Sequence, residues 1–234
     1  MKKIALLMIL AFSLVLTACV STSNTFDFII DESFDGFITL GTSADYPPYE
    51  WLKEVDGKQQ VVGIDIEIAK EIAKALNKNL KVVNKGFDFL LEDLTAGKVD
   101  FVISGMNPTP EREKQVDFSN IYYSAVQVVL IKEADLEKYT SFESLNVGTA
   151  IVGAQLGSIQ QELAETFVDA NKQIIQLVPD LVSRLSDGKI DAVILEKPVA
   201  DGFAARIDGL AIANFSIGDP EDGTAVAVRK GSAD

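Results

Sequence analysis

The clearest pattern along the chain is a series of short apolar runs separated by amphipathic stretches. Six runs rich in Val, Ile and Leu have the length of β-strands, and their apolar residues are mostly consecutive, as in sheets that are covered on both faces. These runs are 37–42, 80–83, 126–131, 151–154, 174–177 and 225–228. Because helical stretches lie between the runs, the pattern predicts an α/β fold.

The clearest helical stretch is 65–76. Ile68, Ile72 and Leu76 recur on one face, and the charged residues lie on the other. Asp65 stands at the start of this stretch, where an aspartate can cap a helix. The spacing therefore predicts an amphipathic helix that packs on a sheet.

A ten-residue pattern occurs twice. Residues 94–103 and 185–194 both read L-x-x-G-K-[VI]-D-x-V-I, which predicts a helix end, a glycine C-cap and a buried strand. Two copies of this unit predict two similar lobes. In such sheets ligands bind beyond the carboxyl ends of the strands, so we expect a site near 104–107 and 195–196.

Composition narrows the possible chemistry. The chain has 234 residues, a net charge of −14, no histidine and one cysteine. The charge argues against a nucleic-acid partner, and the lack of histidine excludes Ser-His-Asp and Cys-His triads. A single cysteine excludes an intramolecular disulfide. We expect no cofactor and no metal site.

The first nineteen residues have the layout of a secretory signal. Lys2 and Lys3 precede an apolar run that is too short to span a membrane comfortably, and the run ends in Leu16-Thr17-Ala18-Cys19. This ending resembles the lipobox of bacterial lipoproteins, which implies a lipid-anchored Cys19. The alternative is an ordinary signal peptide with an accidental cysteine.

Several polar residues near the expected site suit a zwitterion. Arg112 offers a planar fork for a carboxylate, and Glu196 is an anion for an ammonium group. Ser158 is placed to cap a helix whose free N–H groups could bind an anion. The alternatives are a surface arginine paired with a neighbouring glutamate, and a serine that only caps its helix.

Aromatic residues follow the first strand. Tyr46 stands in a Tyr-Pro-Pro-Tyr loop, and Phe87 is a second candidate wall for a pocket. Ordinary core packing is the alternative for these rings.

These residues, in this order, resemble the bacterial extracellular solute-binding proteins of family 3, which bind polar amino acids for ABC importers. The most specific match is Gly63-Ile64-Asp65-Ile66-Glu67-Ile68, and others are 41–49, 103–106, 109–123, 157–158 and 191–193. The resemblance runs from about residue 37 to the end. It implies a two-lobed periplasmic-binding-protein-like fold of type II, with a mostly parallel sheet in each lobe and a two-strand hinge.

The resemblance also implies roles for particular residues. Arg112 and Ser158 would hold the ligand carboxylate, and the Gly105 carbonyl, Asn107 and Glu196 would hold the ammonium. The side chain would lie between Tyr46 and Phe87, with Ser43 at its far end. The full expected set is Ser43, Tyr46, Phe87, Ser104, Gly105, Met106, Asn107, Arg112, Ser158, Ile159, Gln160 and Glu196.

The implied function is capture of a free polar or basic L-amino acid in an interlobe cleft, by a monomer that delivers it to the membrane subunits of an ABC permease. Expected boundaries are a lipoprotein signal peptide at 1–18, a lipidated tether at 19–36, lobe 1 at 37–125, lobe 2 at 126–223 and a return strand at 224–234. The hinge is expected near 124–129 and 222–227. The C-terminal part of lobe 1 is expected to be missing, since family members continue beyond the return strand.

One departure leaves the ligand open. Ser43 stands where binders of cationic amino acids often carry an aspartate, although Asp45, Glu50 or Gln160 could compensate. An alternative on the same fold is a cyclohexadienyl dehydratase-like enzyme, with Glu196 and Lys197 as an acid–base pair. A sensor ectodomain is a third class, but no signalling domain follows in this sequence.

Overall fold

A computed structural model of the chain describes residues 24–218 and 223–232. The strands are β1 Thr25–Phe28, β2 Phe37–Thr42, β3 Asp45–Tyr46, β4 Glu50–Val55, β5 Lys58–Val62, β6 Asn79–Asn84, β7 Phe101–Val102, β8 Val116–Phe118, β9 Tyr123–Ser124, β10 Gln127–Lys132, β11 Ile151–Gln155, β12 Asn171–Ile175, β13 Ala192–Glu196, β14 Leu210–Ile217, β15 Gly223–Thr224 and β16 Ala227–Arg229. The helices are α1 Ile64–Ala75, α2 Leu90–Thr95, α3 Pro110–Glu113, α4 Phe142–Leu145, α5 Ile159–Glu165, α6 Val178–Ser186 and α7 Lys197–Ala204, with short 3₁₀ turns at Phe87–Phe89 and Glu133–Asp135. Within these described ranges no helix is both long and apolar enough to cross a membrane.

Two lobes are present, as predicted, and each is built around one sheet. Lobe 1 has the strand order β1-β6-β2-β7-β16-β8, and lobe 2 has the order β12-β11-β13-β10-β14. Both sheets are parallel at β6-β2-β7 and β12-β11-β13, but β1, β16, β8, β10 and β14 pair antiparallel. The expectation of mostly parallel sheets therefore holds only for β6-β2-β7 and β12-β11-β13. The other strands run antiparallel to their neighbours.

Strand β1 lies inside 19–36, the range that the sequence predicts to be a tether. Its residues pair with β6 from Thr25↔Val83 to Phe28↔Leu80, so this part of the range belongs to the lobe 1 sheet. Phe26, Phe28 and Ile30 pack against the core that Leu40, Leu80 and Ile66 form. The predicted signal peptide and Cys19 lie outside the described residues.

The repeated motif forms the predicted turn in both lobes. Gly97 follows α2 and Gly188 follows α6, each with a φ of 70°. Their N–H groups donate to the carbonyls of Leu94 and Leu185, both at 3.1 Å or less. Glycine adopts this left-handed conformation at little cost, which explains its place in both copies.

A hairpin formed by β4 and β5 is absent from the predicted elements. Its strands read EWLKEV and KQQVV, and most of their residues are exposed or half-buried, so they lack a continuous apolar run. Asp56 and Gly57 turn the hairpin with φ of 51° and 72°. A second difference is β12, which ends at Ile175, two residues before the predicted strand end.

The start of α1 determines much of the site. Gly63 precedes the helix with a φ of 136°, and a Cβ on it would lie 2.0 Å from the Tyr49 carbonyl oxygen. Only glycine fits here, and it allows the first turn to receive the Tyr49 loop, with the Asp65 N–H donating to the Tyr49 carbonyl at 3.0 Å. The prediction that Asp65 caps the helix is wrong. No side chain caps α1, and the Asp65 carboxylate instead accepts the N–H of Gly105 at 2.8 Å.

The chain passes between the lobes at a two-stranded ladder. Strand β9 pairs antiparallel with β15 through Gly223↔Ser124 and Thr224↔Tyr123. The ladder overlaps the N-terminal ends of the two predicted hinge segments, of which Asp222 lies outside the described residues. Beyond it, Ala225 donates its N–H to the Met106 carbonyl at 2.9 Å, which ties the return strand to the expected site.

Candidate functional site

A small cavity of about 10 Å³ lies between the lobes. Residues of both lobes line it: Asp45, Tyr46, Glu50, Phe87, Ser104, Gly105 and Asn107 from lobe 1, and Gln155, Ser158, Ile159 and Gln160 from lobe 2. This volume has room for about one water molecule. An amino acid can therefore occupy the space only when the lobes move apart and close again around it.

Eight of the twelve expected ligand-binding residues line this cavity, and four do not. The four are Ser43, Met106, Arg112 and Glu196. The Met106 side chain packs with Leu90 and Leu94 in the lobe 1 core, so the structure gives it a packing role. Ser43 faces a larger groove of about 510 Å³ on the other side of Asp45. That groove is lined mainly by apolar residues, such as Trp51 and Phe203, and its cation, Lys85, already pairs with Asp93.

Three residues that line the cavity were not in the expected set. The sequence suggested Asp45 and Glu50 only as replacements for an aspartate at position 43, and it gave no prediction for Gln155. The loop that carries Asp45 and Glu50 follows β2, at the carboxyl end of a strand, so its position was a usable signal. Gln155 ends the apolar strand β11, and this signal is weak because many strands end in a polar residue.

Asp45 joins the two lobes. Its carboxylate accepts the Ser43 hydroxyl at 3.0 Å, and from lobe 2 it accepts the Gln155 amide at 3.1 Å and the Val178 N–H at 2.9 Å. Burial raises its pKa to about 6, although these donors stabilise the anion. Asp45 is therefore a buried anion near neutral pH, at the boundary between the cavity and the groove.

Tyr46 also bridges the lobes. Its hydroxyl accepts the Glu196 backbone N–H at 3.0 Å and the Gln160 amide at 3.3 Å. Its ring stacks on that of Tyr49, with centroids 5.9 Å apart and planes 14° apart. These contacts fix one aromatic wall, and Phe87 lies in the lining as another.

Glu196 lies directly behind the cavity and is 1% exposed. Its carboxylate accepts the Tyr49 hydroxyl at 2.6 Å and approaches the Asn107 amide at 3.5 Å. Burial raises its pKa to about 7. The acid–base pair with Lys197 that the dehydratase alternative requires is not formed, because the exposed Lys197 ammonium pairs with Asp201 at 2.7 Å at the start of α7.

Arg112 is buried at the edge of the site. Its guanidinium donates to the Asn107 carbonyl at 2.7 Å and, across the lobes, to the Gly157 carbonyl at 3.0 Å. It lies 5.4 Å from the centroid of the Phe87 ring. Burial lowers its pKa to about 10, which still leaves it charged at neutral pH. Since a guanidinium has five N–H donors, these two bonds leave capacity for a carboxylate.

Ser158 caps α5, as predicted. Its hydroxyl accepts the Gln161 N–H at 3.3 Å and donates to the Gln155 carbonyl at 2.8 Å. This cap places the first turn of α5, with Ile159 and Gln160, along the lobe 2 side of the cavity. In the described part of the chain, no group of three His, Cys, Asp or Glu side chains could hold a metal ion.

Comparison with known proteins agrees with this architecture. The model of bacterial extracellular solute-binding proteins, family 3, matches residues 38–233. The arginine-binding extracellular protein ArtP of Bacillus subtilis is 38% identical, over 99% of this chain and 88% of the relative. ABC transporter arginine-binding protein 1 of Escherichia coli is 32% identical, over 82% of this chain and 77% of the relative.

A solved amino acid ABC transporter substrate-binding protein from Streptococcus pneumoniae, bound to L-arginine, superposes with a TM-score of 0.81. It is 38% identical, and the match covers 84% of this chain and 82% of that one. An ancestral amino acid-binding protein described as a precursor of cyclohexadienyl dehydratase reaches a TM-score of 0.77 at 34% identity, over 84% of this chain and 83% of that one. The chain therefore belongs to the bacterial extracellular solute-binding proteins of family 3.

Proposed function

We propose that this protein is the extracytoplasmic substrate-binding component of an amino-acid ABC importer, and that it binds a free cationic L-amino acid between its lobes. The observation that carries the proposal is the cavity, which both lobes line with polar groups and aromatic rings. Micromolar affinity for a small ligand requires a binding free energy of about −8 kcal/mol. A ligand of about ten heavy atoms reaches this value only when it is almost completely enclosed.

The balance of charge supports a cationic ligand. Asp45 and Glu50 line the cavity and Glu196 lies behind it, whereas Arg112 is the cation at its edge. A zwitterion with a neutral side chain would leave the negative charge of Asp45 without a partner in the ligand. A second positive charge on the ligand side chain offsets it, so Asp45 and Glu50 supply the anionic end that Ser43 cannot. L-Arginine fits this requirement, and it is named for three of the four relatives described above.

The α-groups of the ligand can be placed on the remaining residues. Arg112 and the first turn of α5 behind Ser158 hold the carboxylate, because both offer N–H donors with positive potential. Glu196, Asn107 and the Gly105 carbonyl hold the ammonium. Tyr46 and Phe87 enclose the side chain, and a guanidinium or ammonium group gains from contact with such rings.

Closure of the lobes completes the site. Interlobe hydrogen bonds join Asp45 to Gln155, Tyr46 to Gln160 and Arg112 to Gly157, and all three lie around the cavity. The ladder of β9 and β15 is the point about which the lobes open. A ligand that contacts both lobes shifts the population toward the closed form. Small-angle scattering tests this step, since saturating ligand should reduce the radius of gyration of a monomer.

Attachment at Cys19 completes the proposed physiology. Cleavage before Cys19 and lipidation would keep the protein at the outer face of the membrane, near its permease, since several acyl chains together anchor a protein stably. Fractionation of cells that express the full chain tests this arrangement. The protein should sediment with membranes, and Cys19→Ala should release it. A wild-type chain that remains in the soluble fraction contradicts the anchor.

A calorimetric titration of the purified chain against L-arginine, L-lysine, L-glutamine and L-glutamate tests the ligand class. We expect L-arginine to bind most tightly and L-glutamate to bind at least about a hundredfold more weakly, because a second carboxylate would face Asp45 and Glu50. Tight L-glutamate binding contradicts the assignment of a cationic ligand. The same samples should release no phenylpyruvate from prephenate or phenylalanine from arogenate. Such a product would instead support the dehydratase alternative.

A further inference from the structure

Two buried carboxyl groups meet behind the lobe 1 wall. Glu50 and Asp65 are both fully buried and accept donors from adjacent residues, the Ser104 hydroxyl at 2.9 Å and the Gly105 N–H at 2.8 Å, so their carboxyl groups lie beside each other. Glu50 Oε1 accepts the Ser104 hydroxyl at 2.9 Å, but Glu50 Oε2 has no donor from another described residue. Two carboxylates have only acceptor atoms, so this contact requires a proton between them.

The surrounding bonds show which carboxyl group carries the proton. Asp65 accepts the Gly105 N–H and the Tyr122 hydroxyl, both at 2.8 Å, and these donors favour its ionised form. Glu50 has one neutral donor, and burial together with the charge of Asp65 raises its pKa well above the usual value. The proton therefore lies on Glu50 Oε2 and is donated to Asp65.

The other groups around Glu50 do not replace this proton. The charges that act on it belong to Asp65 in α1 and Asp45 in β3, and both are negative. Two tyrosines, Tyr46 in β3 and Tyr122 before β9, also face the pair and are neutral. Glu196, in β13, lies across the cavity beside Asn107 and adds negative charge. Glu50 itself lines the cavity, within reach of a bound side chain.

We infer that the proton between Glu50 and Asp65 sets ligand specificity: a cationic side chain displaces it, and a neutral side chain of the same shape leaves it in place. This inference rests on the proposed function. When a guanidinium or ammonium group binds, Glu50 loses its proton to solvent and becomes the counter-ion, so the net charge of the site is unchanged. When a neutral side chain such as the ureido group of L-citrulline binds, Glu50 stays protonated.

The consequence is that the preference for a cationic over a neutral side chain depends on pH. Affinity for L-arginine rises more steeply with pH than affinity for L-citrulline, because L-arginine binding releases the proton of Glu50 as well. Both ligands have the same α-groups, so any proton exchange at Glu196 cancels when the two are compared. Asp45 is already ionised above pH 7, since its pKa is about 6. The difference between the two ligands therefore reports on Glu50.

Calorimetry in buffers of different ionisation enthalpy counts the protons released. At pH 7.5 we expect L-arginine to release about one proton more than L-citrulline from the wild-type protein. Between pH 7 and 8.5 the ratio of the citrulline Kd to the arginine Kd should rise with pH, by at most about tenfold per pH unit, the limit for one proton. Equal proton counts, or a ratio that does not change with pH, would overturn the inference, and neither measurement depends on a variant.

The variant Glu50→Gln sharpens the test, because its amide can donate to Asp65 as the protonated carboxyl group does. It should lower L-arginine affinity at least about tenfold, retain L-citrulline affinity within about twofold and abolish the difference in released protons. The matched control is Glu54→Gln, the same change at an exposed position of the same strand, and it should leave all three quantities unchanged. If the two ligands still release different numbers of protons from Glu50→Gln, the proton belongs to another group and the inference is contradicted.

The two proposals fail in different ways. If no amino acid binds the wild-type protein, the proposed function is wrong. If L-arginine binds with the same proton count and pH dependence as L-citrulline, the function stands and the role of Glu50 and Asp65 is wrong.

Discussion

The two lobes share a repeated motif and a sheet architecture, but their cavity walls differ in chemistry. The lobe 1 wall contains two carboxylates, Asp45 and Glu50, and two aromatic rings, with the Arg112 cation at its edge. The lobe 2 wall contains two amides, a capping serine and Ile159, and its carboxylate Glu196 lies behind the cavity. The acidic side chains and the cation at the border of the cavity therefore come mainly from lobe 1, whereas the side chains of the lobe 2 wall itself are neutral.

The charge on the lobe 1 wall still depends on both lobes, because a buried charge without partners costs several kcal/mol. Asp45 accepts one donor from lobe 1, the Ser43 hydroxyl, and two from lobe 2, the Gln155 amide and the Val178 N–H. Its set of donors is therefore complete only when the lobes are in contact.

Removal of the lobe 1 cation should have the largest effect. Arg112→Ala is expected to lower ligand affinity at least about a hundredfold, because the ligand carboxylate would be buried without its counter-ion. Isothermal titration measures the loss, and the unfolding temperature without ligand shows whether the variant remains folded. Binding at the wild-type level in a folded Arg112→Ala protein contradicts the placement of the carboxylate.

Ionisation of Glu196, the buried carboxyl group of lobe 2, should have the second-largest effect, a change in the free energy of unfolding. Burial raises the pKa of Glu196 to about 7, so between pH 4.5 and 7 the folded state holds a proton that the unfolded state has released. The free energy of unfolding should therefore fall as pH rises through this window, by about 3 kcal/mol from Glu196.

Urea denaturation without ligand, at several pH values between 4.5 and 7.5, measures this slope. Glu196→Gln should reduce it, because an amide does not titrate. The exposed change Glu165→Gln, at the end of α5 in the same lobe, is the control and should leave the slope unchanged. A wild-type stability that rises with pH across this window contradicts the assignment.

The hydrogen bonds between the lobes should have a smaller effect. Tyr46→Phe keeps the aromatic wall but removes the acceptor for the Glu196 N–H and the Gln160 amide. We expect a loss of about 1–2 kcal/mol in ligand affinity, roughly tenfold, since a buried N–H loses its partner in the closed form. Tyr139→Phe, which breaks a hydroxyl bond to Asp191 within lobe 2, should lower stability without a change in affinity.

Loss of the α5 cap should have the smallest effect. Ser158→Ala removes the acceptor of the Gln161 N–H and should cost about 1 kcal/mol of stability, with a several-fold loss of affinity because the first turn frays. Ser141→Ala removes the corresponding cap of α4, away from the cavity. Ser141→Ala should lower stability by about the same 1 kcal/mol as Ser158→Ala and leave ligand affinity unchanged. Equal affinity losses in the two variants would indicate that the α5 turn has no particular role in binding.

The sequence predicted the parts of the site that depend on local chemistry. Ser158 was identified because a serine before a helical stretch is a typical cap, and Gly97 and Gly188 because a glycine ends a helix. Tyr46 and Phe87 were identified as rings in loops beyond strand ends, and the structure places both in the cavity lining. Asp65 was misread as a cap, because its actual partner Gly105 lies 40 residues further along the chain.

By itself the sequence determined two α/β lobes, because apolar runs, the repeated L-x-x-G-K turn and the helix caps act over a few neighbouring residues. Tertiary structure alone decided which acidic residues meet. Tyr49 and Glu196 are 147 residues apart, and their contact depends on how the lobes close. Glu50 and Asp65 meet because Gly63 lets α1 begin against the Tyr49 loop. Burial then changes the ionisation of these carboxyl groups, and burial depends on packing across the whole chain.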